Sequence, residues 1–259
     1  MELNLDGKNA LITGGSKGIG YAAAEALAGE GCNLVLVART AKDLDAAKAK
    51  IRAKHNVRVE IFPADLSSGA NVTKLAKNFP DVDILVNNAG AIPGGNLLEI
   101  DEAKWRAAWD LKVFGYVNMC RAYYALMKQR KSGVIVNVIG AAAQTRDPGY
   151  ICGVAGNAAL AAFSQSLGHA SVADGVRVVA IHPGPVATDR LVTLLRKRAQ
   201  DRGADPETWR ELTKSMPLGR PAQPEEIAAM IAFLASERSG YTSGSVVTID
   251  AGISARAAS

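Results

Sequence analysis

Near the N-terminus, residues 13–20 read TGGSKGIG, and their spacing is that of a phosphate cradle. Gly14, Gly18 and Gly20 let the backbone turn tightly and approach a pyrophosphate. A helix start behind them offers free N–H groups and a positive dipole end. The spacing is GxxxGxG rather than the GxGxxG fingerprint. Ser16, Lys17 and Ile19 complete the turn, and Lys17 places a cation inside it. A second stretch, residues 134–160, reads VIVNVIGAAAQTRDPGYICGVAGNAAL and contains one tyrosine, Tyr150, and no lysine. A phenol beside a cation suits proton transfer, because a nearby ammonium lowers its ordinary pKa of about 10. Nothing within the stretch supplies that ammonium.

Strands and helices must hold these groups. NALIT (9–13), NLVLVA (33–38), VRVEIF (57–62), DILVNN (83–88), GVIVNVI (133–139), VRVVAIH (176–182) and SVVTID (245–250) are short, Val/Ile-rich runs bounded by turn residues. Each has the length of a strand buried on both faces. Ala-rich segments with helical spacing lie between them, as at Ile19, Ala23, Ala26 and Leu27. This alternation predicts an α/β fold, a doubly wound parallel sheet with helices on both faces. The glycine turn falls between the first strand and the first helix, where a dinucleotide would bind. No internal repeat or linker divides the chain, so a single domain over 1–259 is expected.

Composition narrows the classes. The chain has 259 residues, 48% hydrophobic and 21% charged, with a net charge of +5. No Lys/Arg run is interleaved with aromatics, which argues against a nucleic-acid surface. Cys32, Cys120 and Cys152 lie far apart without metal-ligand spacing, as expected for reduced thiols in a cytoplasmic protein with no metal site. Cys152 has no histidine beside it in sequence and is read as a small core residue. No apolar run is long enough to span a membrane, and no signal segment is recognised.

The motifs TGGSKGIG, DL at 65–66, NNAG at 87–90, PGPVAT at 183–188 and GSVVTIDAG at 244–252 occur in the order and spacing of the classical short-chain dehydrogenases/reductases. The resemblance spans residues 5–252. It implies a seven-stranded Rossmann sheet, a nicotinamide cofactor, and hydride transfer between that cofactor and an alcohol or carbonyl. By the same resemblance Asp65 and Leu66 hold adenine, and Asn88, Ala89 and Gly90 line the adenosine ribose and the nicotinamide side. Pro183 and Gly184 join the cofactor site, and Val186 and Thr188 meet the carboxamide. NAD-specific members carry a carboxylate at the end of the second strand, for the ribose 2′-OH. Here VART puts Arg39 there. Arg39 and Lys17, with no acid nearby, would grip a 2′-phosphate as fork and point charge, which favours NADP(H) over NAD(H).

The family's catalytic tetrad is replaced in register. Its serine position is Gly140, its tyrosine Gly153, its lysine Asn157, and its helix-borne asparagine Lys112. The amine and the amide have changed places. If both point inward, a cation and an amide still meet in one pocket, and Tyr150, three residues before Gly153, adds a phenol. Tyr150, Lys112 and Asn157 are therefore the candidate catalytic residues. Two alternatives stay open. Lys112 shares a helical face with Trp105, Trp109, Val113 and Tyr116, or is an ordinary exposed lysine one turn out of register. Tyr150 follows the turn signal RDPG and either donates a proton or caps a helix by packing.

After PGPVAT, residues 189–216 are expected to form a helical substrate lid. Leu191, Leu194, Leu195 and Ala199 form an apolar stripe, and Asp205 and Pro206 open a second helix. Arg190, Arg196, Lys197, Arg198 and Arg202 make this segment basic. They either form a solvated face or draw in an anionic small-molecule substrate, a carboxylate or CoA ester. The resemblance implies a homodimer or homotetramer, and AGNAALAAFSQSLG would permit close helix approach. Two functions fit: an NADP(H)-dependent oxidoreductase with a rearranged proton donor, or an NADP(H)-binding sensor or partner subunit without dehydrogenase activity. Near-complete family motifs point to the first.

Overall fold

The computed structural model describes residues 2–256. The seven apolar runs become the strands β1 (Asn9–Thr13), β2 (Asn33–Ala38), β3 (Val59–Pro63), β4 (Ile84–Asn87), β5 (Gly133–Val138), β6 (Val176–Pro183) and β7 (Val246–Ile249). They pair in parallel in the order β3-β2-β1-β4-β5-β6-β7. β3 begins later than its apolar pattern suggests. The Asn33 side chain takes the Arg58 N–H at 3.2 Å, so the ladder opens one residue on.

The segments between strands fold as α1 (Gly18–Gly29), α2 (Ala41–Arg52), α3 (Gly69–Asn78), α4 (Glu102–Trp109), α5 (Gly115–Arg130), α6 (Ala142–Thr145) and α7 (Ile151–Ser171). After β6 come α8 (Asp189–Asp201), α9 (Glu211–Lys214), α10 (Pro224–Ala235) and α11 (Ile253–Arg256). Period-two side-chain alternation splits the sheet's apolar residues between two cores. Ala10, Ile12, Leu34 and Leu36 pack with α1, α2 and α10. Leu11, Val35, Val37 and Leu85 pack with α3 and α5 on the opposite face. Burying each such side chain stabilises the fold by about 1.5–3 kcal/mol. No helix of the described residues is long and apolar enough to cross a membrane.

The strand order reverses between β1 and β4, since β1 leads outward to β2 while β4 lies on its other side. Crevices at such switch points, outside the carboxyl ends of the strands, are where open α/β sheets take ligands. The segments that leave β1 to β6 carry the residues singled out above.

Candidate active site

The glycine turn is shaped by close approach. Gly14 and Gly18 hold φ of 68° and 56°, in the left-handed region that favours glycine. A Cβ on Gly20 would come to 2.2 Å from Gly14 O and 2.5 Å from Asn88 Nδ2, so only glycine lets α1 start here. A Cβ on Gly18 would lie 3.1 Å from Thr188 Cγ2, which places the PGPVAT loop against the turn. Thr13 ties the turn to β4, its hydroxyl oxygen accepting from Asn88 N at 2.8 Å and Ala89 N at 3.0 Å. The result is an open, side-chain-free cradle at a helix N-terminus, which fits a pyrophosphate.

The two cations beside it differ. Lys17 is ion-paired to Asp43, in the first turn of α2, at 2.9 Å. The expectation of no nearby acid is thus corrected: helix spacing after β2 brings Asp43 back toward the glycine turn. Arg39 is exposed at the end of β2, with no carboxylate within 4.0 Å among the described residues. Asp65 is held by Ser67, whose N–H and hydroxyl donate to it at 3.0 and 2.8 Å, and these bonds lower its pKa. Leu66 is buried behind it.

Lys112 is not on a continuous helix. A π-helical turn, Asp110–Phe114, separates α4 from α5, with Gly115 N–H donating to Asp110 O. A Cβ on Gly115 would lie 3.2 Å from Leu66 O, so glycine lets this turn press against the loop after β3. The inserted residue shifts the helical phase and turns Lys112, Val113 and Tyr116 inward. Lys112 is 7% exposed, which excludes the ordinary surface lysine. Its ammonium donates to Tyr116 Oη at 2.7 Å and Val138 O at 2.8 Å, and Tyr116 donates to the same carbonyl at 2.8 Å. Burial, reinforced by the Arg190 charge, pushes Lys112 from 10.5 down to about 7.

Three candidate side chains each occupy the space above a glycine. A Cβ on Gly90 would lie 2.6 Å from Lys112 Cδ. One on Gly140 would lie 2.8 Å from Asn157 Nδ2, and one on Gly153 would lie 2.1 Å from the Tyr150 ring. The space above Gly140 and Gly153 is therefore filled by side chains from elsewhere in the chain. Gly140 also holds φ of 145°, disfavoured for any side chain. Asn157 is 4% exposed, and its amide has no hydrogen-bond partner among the described residues.

Lys112, Asn157 and Tyr150 line one cleft of about 510 Å³, together with Asn88, Gly90, Gly140, Pro183, Gly184, Val186 and Thr188. The cation at Tyr150 is Arg190, whose Nη2 donates to the phenol oxygen at 3.0 Å. This corrects the expected Lys112–phenol pairing. Burial raises the Tyr150 pKa, and Arg190 only partly opposes it. Tyr150 also precedes α7 as its N-terminal flanking residue, without a side-chain capping bond. Cys152 is fully buried, and burial raises its thiol pKa.

Residues 189–216 form α8, a 3₁₀ turn at Pro206–Arg210 and α9. Asp205 caps the second helix expected there, accepting from Glu207 N with Pro206 at its first position; that helix is a 3₁₀ turn leading into α9. Leu195 and Ala199 are buried as the stripe predicts. Most of the basic charge is paired: Arg196 with Glu207, Lys197 with Asp201 and Arg198 with Asp147. Sequence reasoning missed Asp147 and the special contact of Arg190 with Tyr150. It named Tyr116 only as a neighbour, though the i, i+4 spacing to Lys112 signals their contact.

The model of the family described as enoyl-(acyl carrier protein) reductase matches residues 14–254. The 2-keto-3-deoxy-L-fuconate dehydrogenase of Xanthomonas campestris pv. campestris is 33% identical over 251 residues, 96% of this chain and 80% of that protein. The 3-oxoacyl-[acyl-carrier-protein] reductase of Chlamydia muridarum is 30% identical over 250 residues, 95% of this chain and 97% of that one. The crystal structure of L-sorbose reductase from Gluconobacter frateurii, complexed with NADPH and L-sorbose, superposes with a TM-score of 0.89 at 33% identity, covering 98% of both chains.

Proposed function

The chain belongs to the short-chain dehydrogenase/reductase family, and from that premise we propose an NADP(H)-dependent oxidoreductase of carbonyls and alcohols whose proton donor is Lys112. The single observation that carries this reading is a buried amine on the cleft with its pKa pushed down to about 7. An acid poised near the working pH transfers protons best in both directions.

The cradle of Gly14, Ser16, Lys17, Gly18, Ile19 and Gly20 would hold the pyrophosphate, and Arg39 the 2′-phosphate. Asp65, Leu66, Asn88, Ala89, Gly90, Pro183, Gly184, Val186 and Thr188 would hold the rest. Complexes of similar proteins with NADPH support that cofactor. When bound, the nicotinamide supplies or accepts the hydride. Lys112 spends two N–H groups on Tyr116 Oη and Val138 O, which fixes the nitrogen. Its third N–H donates to the substrate oxygen during reduction. In oxidation the neutral amine takes the alcohol proton. The unpartnered Asn157 amide and the Tyr150 hydroxyl offer further hydrogen bonds to that oxygen. Tyr150 accepts from Arg190, and its own proton has no acceptor among the described residues. The helices of residues 189–216 act as the substrate lid, and the protein works in the cytoplasm as a homodimer or homotetramer.

The glycines at positions 140 and 153 favour a second reading, an NADP(H)-binding sensor or partner subunit without dehydrogenase activity. A panel of carbonyls with NADPH and of alcohols with NADP⁺ separates the two. The enzyme reading expects turnover, reduced about 100-fold or more in Lys112→Met and less in Tyr150→Phe. Micromolar NADPH binding with no turnover across the panel would install the second reading instead.

A further inference from the structure

One guanidinium of the cleft, that of Arg190, is left without a counter-charge among the described residues. Arg190 Nη2 donates to Ile92 O at 2.7 Å and to Tyr150 Oη at 3.0 Å. These bonds use both hydrogens of Nη2 and anchor the guanidinium. The three N–H groups on Nε and Nη1 have no acceptor among the described residues. No carboxylate among those residues comes within 4.0 Å of Arg190. The contrast along α8 is sharp. Arg196, Lys197 and Arg198 each pair with a carboxylate, at 3.0, 2.8 and 2.7 Å. Among the described residues Asp147 is the one acid lining the cleft, and Arg198 pairs with it. A residue serving only to latch α8 onto the loop after β4 needs one donor and no charge. Arg190 instead keeps most of its donors free on the cleft that Lys112 also lines.

We propose that Arg190 is the carboxylate-recognising residue of this cleft. The substrate is then a small oxo acid, or the corresponding hydroxy acid. Its carboxylate lies on Nε and Nη1 of Arg190 and its reacting oxygen toward Lys112. The inference rests on the oxidoreductase reading of the same cleft. A planar guanidinium matches a carboxylate in shape and charge, and such charge-assisted bonds are the strong ones. Arg190 is exposed on the wall of the cleft and bonds to Tyr150, which favours a short acid over a long thioester whose charge lies far from the carbonyl.

The test compares short oxo acids with their methyl esters as substrates for wild type, Arg190→Met and Arg190→Lys. In parallel, calorimetry measures malonate binding to the nucleotide-free protein. The wild type is expected to prefer acids, and the acid-to-ester ratio of kcat/KM to fall about 100-fold in Arg190→Met, the size of lost charge-assisted bonds. Malonate binding should vanish in Arg190→Met and persist, weakened, in Arg190→Lys. An acid-to-ester ratio unchanged by Arg190→Met overturns the assignment, whatever both rates lose together. If nothing is turned over, the oxidoreductase reading fails on its own and malonate decides. Binding lost in Arg190→Met upholds the anion site, and no binding to the wild type refutes it.

Discussion

Lys112 pays for its position with stability, and the sign can be worked out. In the unfolded chain a lysine holds its proton up to about 10.4, whereas in the fold burial pushes Lys112 down to about 7. Between those values the unfolded state binds more protons, so this residue makes stability rise with pH across the window. The penalty is fully present below about pH 7 and gone above the unfolded value. Lys112→Met should therefore raise the unfolding free energy, by about 1–4 kcal/mol at pH 6 and by less at pH 9. Val138 O stays satisfied because Tyr116 still donates to it. Denaturant titration at the two pH values checks this; a destabilised variant, or a gain independent of pH, would mean Lys112 is not held as described. That Lys112 and Asn157 share one cleft was legible in the sequence, because flanking motifs suggested a register that turns both inward. The partner of Tyr150 was not. Arg190 lies 40 residues away in the chain, and only the packing of α8 over the cleft joins them.

Among the elements, those with a strong period were the easiest to read. All seven Val/Ile-rich runs form strands, β3 starting later than its pattern, since strands buried on both faces leave little choice of residue. The π-helical turn at Asp110–Phe114 was not legible. Nothing in DLKVF breaks a helix, and the cause is the tertiary approach of Gly115 to Leu66 O. That turn rotates Lys112 into the cleft, so the least predictable element positions the proposed proton donor. On the proposed reading, the end of β2 and the start of α2 would set the nucleotide preference. Asp43 on α2 takes Lys17, leaving Arg39 as the cation free to meet a 2′-phosphate. Arg39→Asp should weaken NADPH binding about 10–100-fold, the value of a charge-assisted contact, while sparing NADH. Fluorescence titration with both nucleotides reads this directly. Unchanged NADPH affinity would remove Arg39 from the site and leave the preference unexplained.

At the scale of the whole molecule, a familiar sheet carries a cleft whose polar groups come from unfamiliar positions. Lys112 comes from the junction of α4 and α5, Asn157 from α7, Tyr150 from the loop before it and Arg190 from α8. Gly90, Gly140 and Gly153 leave room for three of them. On the proposed reading, these glycines and the side chains above them form one compensating set. If that set rebuilds a proton donor, its titration must govern the reaction in both directions. The most direct measurement is the pH dependence of kcat for NADPH-dependent reduction and NADP⁺-dependent oxidation between pH 5.5 and 10.5. The account predicts mirror-image profiles breaking near pH 7, reduction falling above the break and oxidation rising through it. Profiles flat across neutrality, or a single break near the phenol range, would contradict it and move the proton away from Lys112.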